Sequence, residues 1–361
     1  MKVFRNFDWL FFLVIFLLLT FGSVTILSVN PGIFSDQIAY ALLSLGIFFL
    51  FSYLDLKIFE SFAKVLYFAS LFFLTTPLFL GVLSRGATRW VEIAGKTFQP
   101  SEAAKLFLIV FLARYWAYRR VNLSSFSRAL FLILPQFFLV FRQPDLGSSL
   151  VIMAIFFGMI LLTEIRWRQI FVLLAGFLLI LPISWFFLHD YQKERITHFL
   201  NPSLDPLGAG YNVIQSILTV GSGGLTGKGL GKGSQSQLAF LPEKHTDFIF
   251  SSFAEAFGFL GSVLVIFLYF LLCRRIIYAM RKTESDFSKY LCAGVFWLVF
   301  FQSSVNIGMN LGILPITGIT LPLFSYGGSS LLSTMACLGL VENVIHSNFG
   351  KEAIEIGFKR D

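Results

Sequence analysis

Between Tyr290 and Val341 the chain reads YLCAGVFWLVFFQSSVNIGMNLGILPITGITLPLFSYGGSSLLSTMACLGLV, without one acidic or basic residue. Such a tract is far longer than the roughly 20 residues that one helix needs to cross the hydrocarbon core of a bilayer. Gly312, Pro315, Gly318 and Pro322 interrupt it near its middle, where a helix would have to break. The reading is two spanning helices, Lys289–Asn310 and Gly327–His346, joined by an irregular segment. The rest of the chain has the same character. Of its 361 residues 56% are hydrophobic and 13% charged, 46 are Phe, and the mean hydropathy is +0.78. An ordinary soluble domain carries roughly 25% charged residues, so a cytosolic enzyme and a disordered regulator are both excluded. The expectation is an all-α polytopic membrane protein.

Working outward, the apolar segments Trp9–Val29, Ile38–Leu54, Ala63–Leu83, Ala103–Tyr118, Ala129–Phe141, Gly147–Thr163, Gln169–Leu188 and Phe248–Cys273 complete a set of about ten transmembrane helices. They form a single transmembrane domain over residues 1–361, with a long extracytoplasmic loop, residues 189–247, between helices 7 and 8. Lys2 and Arg5 precede the first run, yet no charge appears from Trp9 to Ser35 and no small-residue cleavage site follows. That run is an uncleaved first span. With the N-terminus inside, eighteen of the 28 Lys and Arg fall in cytoplasmic connections and five in short outer ones, which places both termini in the cytoplasm. The net charge of +8 is dispersed between apolar stretches and forms no phosphate-reading patch, so no nucleic-acid partner is expected. Cys273, Cys292 and Cys337 all lie in apolar segments and read as small buried hydrophobes.

The outer connections are longer and chemically richer than the inner ones, which places the active face outside. In Gln99-Pro100-Ser101-Glu102-Ala103-Ala104-Lys105, Pro100 opens a helix, and Glu102 and Lys105 share one face at i,i+3. They read either as a pair stabilising the helix end or, with Arg89 just upstream, as the charged wall of a substrate cavity. Gln143-Pro144-Asp145-Leu146-Gly147 reads as a turn and helix cap, and capping alone would explain Asp145. The long loop carries Arg195, His198 and a run from Gly221 to Ser234 that contains Lys228 and Lys232. This run invites a nucleotide reading that spacing rejects: Ser222 and Gly229 break the phosphate-loop pattern around one Gly-Lys pair, Thr226 and Gly233 around the other. What remains is a simple hinge, or a donor-rich loop able to approach an anion through backbone N–H groups. The segment His245-Thr246-Asp247-Phe248-Ile249-Phe250 places Thr246 or Asp247 at the cap of the eighth helix. The Asp247 carboxylate also suits a general base held beside lipid.

Together these segments strongly resemble the SEDS family (shape, elongation, division and sporulation), bacterial membrane glycosyltransferases of peptidoglycan. The most specific pieces are Gln99–Glu102, Gln143–Gly147, His245–Phe250 and Ser325-Tyr326-Gly327-Gly328-Ser329-Ser330. Gly233–Leu238 and Asn306-Ile307-Gly308-Met309 are more similar to the rod-shape branch of that family than to its division branch. Ala254-Glu255-Ala256 and Thr320 depart from the family's usual Ala-Glu-Glu and Pro. The resemblance implies polymerisation of lipid II into β-1,4 glycan strands on the outer face of the bacterial cytoplasmic membrane during elongation and rod-shape maintenance. It gives Asp247 as the catalytic carboxylate, and Arg89, Glu102, Lys105, Asp145, Arg195, His198, Lys228, Lys232, His245 and Ser325 as substrate-binding candidates. It implies a divalent cation (Mg or Mn) and no nucleotide. Implied partners are a class B penicillin-binding protein transpeptidase and other membrane proteins of the elongation complex. A lipid II flippase is the alternative use of such a cavity, and a noncatalytic scaffold a third.

Overall fold

The computed structural model describes residues 7–84, 87–93, 95–119, 122–161, 210–238 and 240–358, with isolated positions at 193, 197, 199, 201 and 205. The expected seventh span, Gln169–Leu188, lies outside the described residues, as do Arg195 and His198. Helix α1 (Trp9–Val29) starts where the Asp8 carboxylate accepts the Phe11 N–H at 3.0 Å, an N-cap in the usual sense. It ends at Asn30, before the 3-10 turn Pro31–Ile33. Next come α2 (Phe34–Tyr53) and α3 (Leu56–Leu80), then α4 (Pro100–Ala117), α5 (Leu123–Arg142) and α6 (Leu146–Leu161). After the undescribed stretch come α7 (Tyr211–Ser222), the single turn α8 (Ser234–Gln237), α9 (Ile249–Lys282), α10 (Asp286–Asn310) and α11 (Gly328–Phe358). Among the described residues seven helices are long and apolar enough to cross a membrane, and α6 is a shorter apolar one. Phe68, Phe72, Phe79, Phe131, Phe267 and Phe270 point outward from them. Such a surface belongs in lipid, not water.

Charge explains the position of α4. It packs on α3, α10 and α11, with Glu102 and Lys105 buried among them. Polar groups at membrane depth are tolerated when they face protein. The irregular stretch expected within residues 290–341 is present as the connection from Leu311 to Gly327, and the helices flanking it are α10 and α11. The three cysteines are buried and free.

Three features depart from the sequence reading. The connection after α3, expected to be a plain loop from Ser84 to Glu102, is a three-stranded antiparallel sheet of β1 (Gly81–Ser84), β2 (Ala87–Ile93) and β3 (Lys96–Phe98). Alternating Arg89, Val91 and Ile93 with Trp90 and Glu92 suits a strand, and β2 packs against α3 and α4. The helix expected over Phe248–Cys273 runs to Lys282 and is broken at Gly258, whose φ of 68° and ψ of −163° lie outside helical space. Neither Thr246 nor Asp247 is its N-cap: that position is Phe248, whose side chain makes no capping bond.

The broken helix is repaired by the glycine-rich run. The carbonyls of Glu255 and Ala256 accept Lys228 N–H at 2.9 Å and Gly229 N–H at 3.0 Å, while Phe259 N–H and Leu260 N–H donate to Gly224 (2.8 Å) and Leu225 (3.1 Å). Backbone groups freed inside a membrane helix must find such partners. Only glycine fits at the crossing, because a Cβ on Gly258 would stand 2.3 Å from the Gly227 nitrogen. The Glu255 carboxylate, fully buried, completes the clamp. It accepts from Ser222 Oγ (3.2 Å), Lys228 Nζ (3.0 Å), Gln235 N (3.0 Å), Ser236 N (2.9 Å) and Ser236 Oγ (2.7 Å). At the other end of the bundle Asp8 ties three helices. Its N–H donates to Glu342 of α11 at 2.9 Å, and its carboxylate receives Arg275 of α9.

Candidate functional site

At the end of the bundle away from Asp8, the starts of α4 and α9, the strand β2 and the α10–α11 connection converge on a narrow cleft. Arg89, Glu102, Lys105, Asp247, Gln302 and Tyr326 line it together with small residues of the connection. The Lys105 ammonium and the Glu102 carboxylate meet at 2.7 Å, both nearly buried, so the pair forms a wall of the cleft as well as the start of α4. Arg89 reaches in from β2. Its guanidinium stands 3.8 Å from Asp145, and its Nε is buried without a hydrogen-bond partner.

Asp145 stands behind this wall, 2% exposed. One carboxylate oxygen accepts Ser148 N–H at 3.0 Å, which caps α6; the other accepts Gln99 Nε2 at 2.8 Å. The capping reading of Asp145 therefore stands, with the addition that the same carboxylate ties α6 to the start of α4 and faces Arg89.

Asp247 is presented by a turn whose three successive carbonyls are each held by another element. The carbonyl of His245 accepts Tyr326 N–H at 2.9 Å, and that of Thr246 accepts Ser325 Oγ at 2.7 Å. The carbonyl of Asp247 accepts the side-chain amides of both Asn306 and Asn310 at 3.0 Å. Thr246 also donates to the Glu243 carboxylate at 3.0 Å. Facing the Asp247 carboxylate is backbone: a Cβ on Gly318, where φ is 72°, would lie 3.6 Å from Asp247 Oδ2. A larger residue at 318 would be strained and would narrow the approach. Nearby, burial pushes the Lys244 ammonium below its ordinary range, and its Nζ donates to the Ser236 carbonyl. Burial raises the Tyr326 phenol, which stays a neutral donor at the cleft.

Of the residues singled out from sequence, Arg89, Glu102, Lys105 and Asp247 share the cleft. Ser325 and His245 do not line it: Ser325 bridges Thr246 to Leu321 N–H (2.9 Å), and the His245 ring packs edge-on against Tyr326. Lys228 is engaged with Glu255, so the anion that the donor-rich loop approaches is the chain's own carboxylate. Lys232 is exposed on that loop. Among the described residues no group of three His, Cys, Asp or Glu could hold a metal ion, and one of the two cleft carboxylates, Glu102, is already matched by Lys105. Gln302, Asn306 and Asn310 went unassigned in the sequence, although three amides at i, i+4 and i+8 on an apolar helix mark one polar stripe.

A family model described as cell cycle protein, FtsW/RodA/SpoVE, matches residues 3–349. The chain is 38% identical over 339 residues to the peptidoglycan glycosyltransferase MrdB of Escherichia coli strain K12, covering 92% of this chain and 91% of that protein. Among solved structures it resembles a chain of a peptidoglycan synthase complex that coordinates polymerization and crosslinking, with a TM-score of 0.84 and 33% identity over 95% of this chain and 98% of that one. It also resembles the rod shape determining protein RodA of Thermus thermophilus, with a TM-score of 0.73 and 31% identity over 95% and 98% of the two chains.

Proposed function

The chain belongs to the FtsW/RodA/SpoVE family of cell cycle proteins, and from that premise we propose how its cleft carries out glycan synthesis. It is a multi-pass membrane protein and a peptidoglycan glycosyltransferase. Its substrate is lipid II, presented from the outer leaflet of the cytoplasmic membrane during cell elongation, with both termini in the cytoplasm. A class B penicillin-binding protein is the partner that crosslinks the product. The single observation that carries the reading is the Asp247 carboxylate at a cleft that two cations, Arg89 and Lys105, also line.

The reaction needs a base and charge stabilisation. Asp247 accepts the proton of the acceptor GlcNAc 4-hydroxyl as that oxygen attacks the anomeric carbon of the donor MurNAc. The bond from that carbon to the pyrophosphate breaks, the configuration inverts, and undecaprenyl pyrophosphate leaves with the electron pair. Pyrophosphate is already a good leaving group, so a second carboxylic acid of the kind a glycosidase uses is not needed. Arg89 and Lys105 offset the charge that develops on it, Lys105 being oriented by Glu102. Such cations act most strongly where water is excluded, as at a nearly buried pair.

The test is Asp247→Asn, reconstituted in liposomes with purified lipid II and read on a polymerisation gel beside a fluorescent lipid II accessibility assay. Loss of polymer with the variant still inserted and folded supports the enzyme. Unchanged polymer, or lipid II translocation abolished by Asp247→Asn in a protein that never polymerises, refutes it.

A further inference from the structure

Two buried asparagines in the closing turns of an apolar helix ask for an explanation. Asn306 and Asn310 are one turn apart on α10 and both fully buried. An amide at this depth is costly unless its groups are partnered. Here every donor and acceptor is used, and the partners converge on one turn. Both Nδ2 groups donate to the Asp247 carbonyl at 3.0 Å. Asn306 also donates to the Ile319 carbonyl at 2.7 Å, next to the Gly318 backbone that faces the carboxylate. Asn310 Oδ1 accepts Ser251 N–H at 3.0 Å and Ser251 Oγ at 2.6 Å.

The last contact accounts for the missing cap. Ser251 is the third residue of α9, so its N–H is one of the orphan donors at a helix start. Asn310 supplies the acceptor from another helix. Ser216 of α7 closes the network, bonding Ser251 Oγ at 2.7 Å and the Asn310 carbonyl at 2.8 Å.

We propose that Asn306 and Asn310 are positioning residues for the Asp247 carboxylate, a paired amide clamp that fixes the turn carrying the base and caps its helix in trans. The inference rests on the reading of Asp247 as that base. Neither asparagine touches substrate; they set where the carboxylate stands relative to the acceptor hydroxyl. Misplacing a reacting group by about 1 Å costs on the order of 10²-fold in rate. The cleft walls that bind lipid II, Arg89 and the Glu102–Lys105 pair, come from β2 and α4 and are not held by either amide.

The experiment compares Asn310→Ala, Asn306→Ala, Asn343→Ala and Asp247→Asn in the full-length protein with lipid II as substrate, with thermal stability in detergent recorded for each. Asn343 is the control. It is 8% exposed and donates to the Phe51 carbonyl at 3.1 Å, tying α11 to the far end of α2. The clamp predicts a kcat lowered on the order of 10²-fold in Asn310→Ala, and lowered in Asn306→Ala, with KM for lipid II within about twofold of the parent. It predicts for Asn343→Ala a comparable loss of stability with kcat near the parent's. If Asn310→Ala does not fold, Asn306→Ala, which leaves the Ser251 cap in place, decides alone. A KM effect without a kcat effect, or a kcat loss that follows stability across all three asparagines, overturns the clamp while leaving Asp247 in place. Full activity in Asp247→Asn would instead overturn the reading beneath it.

Discussion

Replacing Glu255 by Ala removes the centre of the clamp between the glycine-rich loop and the broken helix, and the structure sets the size of the effect. The carboxylate takes five donors, of which Gln235 N–H and Ser236 N–H are held in place by the turn α8 and cannot reorient freely. Each donor left buried costs about 1–3 kcal/mol. Lys228, 31% exposed, turns to water and contributes little. The sum is about 3 kcal/mol, borne by the loop and the break rather than by the bundle. At roughly 1.4 kcal/mol per tenfold, amide exchange in that unit should quicken by about two orders of magnitude. Hydrogen–deuterium exchange read by mass spectrometry on the detergent-solubilised protein reports it. Peptides holding Lys228, Gly229, Phe259 and Leu260, whose N–H groups make the cross-bonds, should exchange faster, and peptides from α1 and α2 should not. If protection at Phe259 and Leu260 is unchanged in Glu255→Ala, the loop does not depend on that carboxylate and the reasoning fails.

Two further outcomes follow from the same geometry. Lys105→Met leaves the Glu102 carboxylate buried without its partner, a change worth about 3–5 kcal/mol of stability, and should abolish polymerisation; the double variant Lys105→Met, Glu102→Gln should recover most of the stability but not the activity, by thermal melt and gel. Gly258→Ala forces a side chain into a left-handed backbone 2.3 Å from the Gly227 nitrogen, and should lower stability by about 1–3 kcal/mol while increasing exchange at the loop crossing.

Most of the membrane architecture was legible because the bilayer imposes a length and a polarity on each crossing. The uncharged tract from Tyr290 to Val341 announced α10, an interrupted connection and α11, and all three are present. The sheet of residues 81–98 escaped notice because its alternation is short and mixes charge with Trp and Val, which reads equally as an outer loop. Gly258 was invisible as a break for a related reason. A single glycine in an apolar run costs a helix only about 1 kcal/mol, and nothing local says that a loop some thirty residues upstream will pair with it. Within the site, Asp247 and the Glu102–Lys105 pair were found because a charge entering a membrane helix is conspicuous. Ser325, Lys228 and His245 were equally conspicuous as polar residues, yet their hydrogen bonds, ion pair and ring contact are with this chain's own Thr246, Glu255 and Tyr326, which only three-dimensional packing decides. The amides of α10 carried no role in the sequence reading, because their meaning lies in the shared face and in the carbonyl that two of them hold.

The account stands on Asp247 as the group that takes the acceptor's proton, and a paired measurement on Asp247→Asn tests that most directly: the turnover number on lipid II beside the affinity for lipid II in the same liposomes. A positioned base contributes on the order of 10²- to 10⁴-fold, so turnover should fall by at least that lower bound while affinity stays within about twofold. Turnover within tenfold of the parent protein, at unchanged affinity, would contradict it.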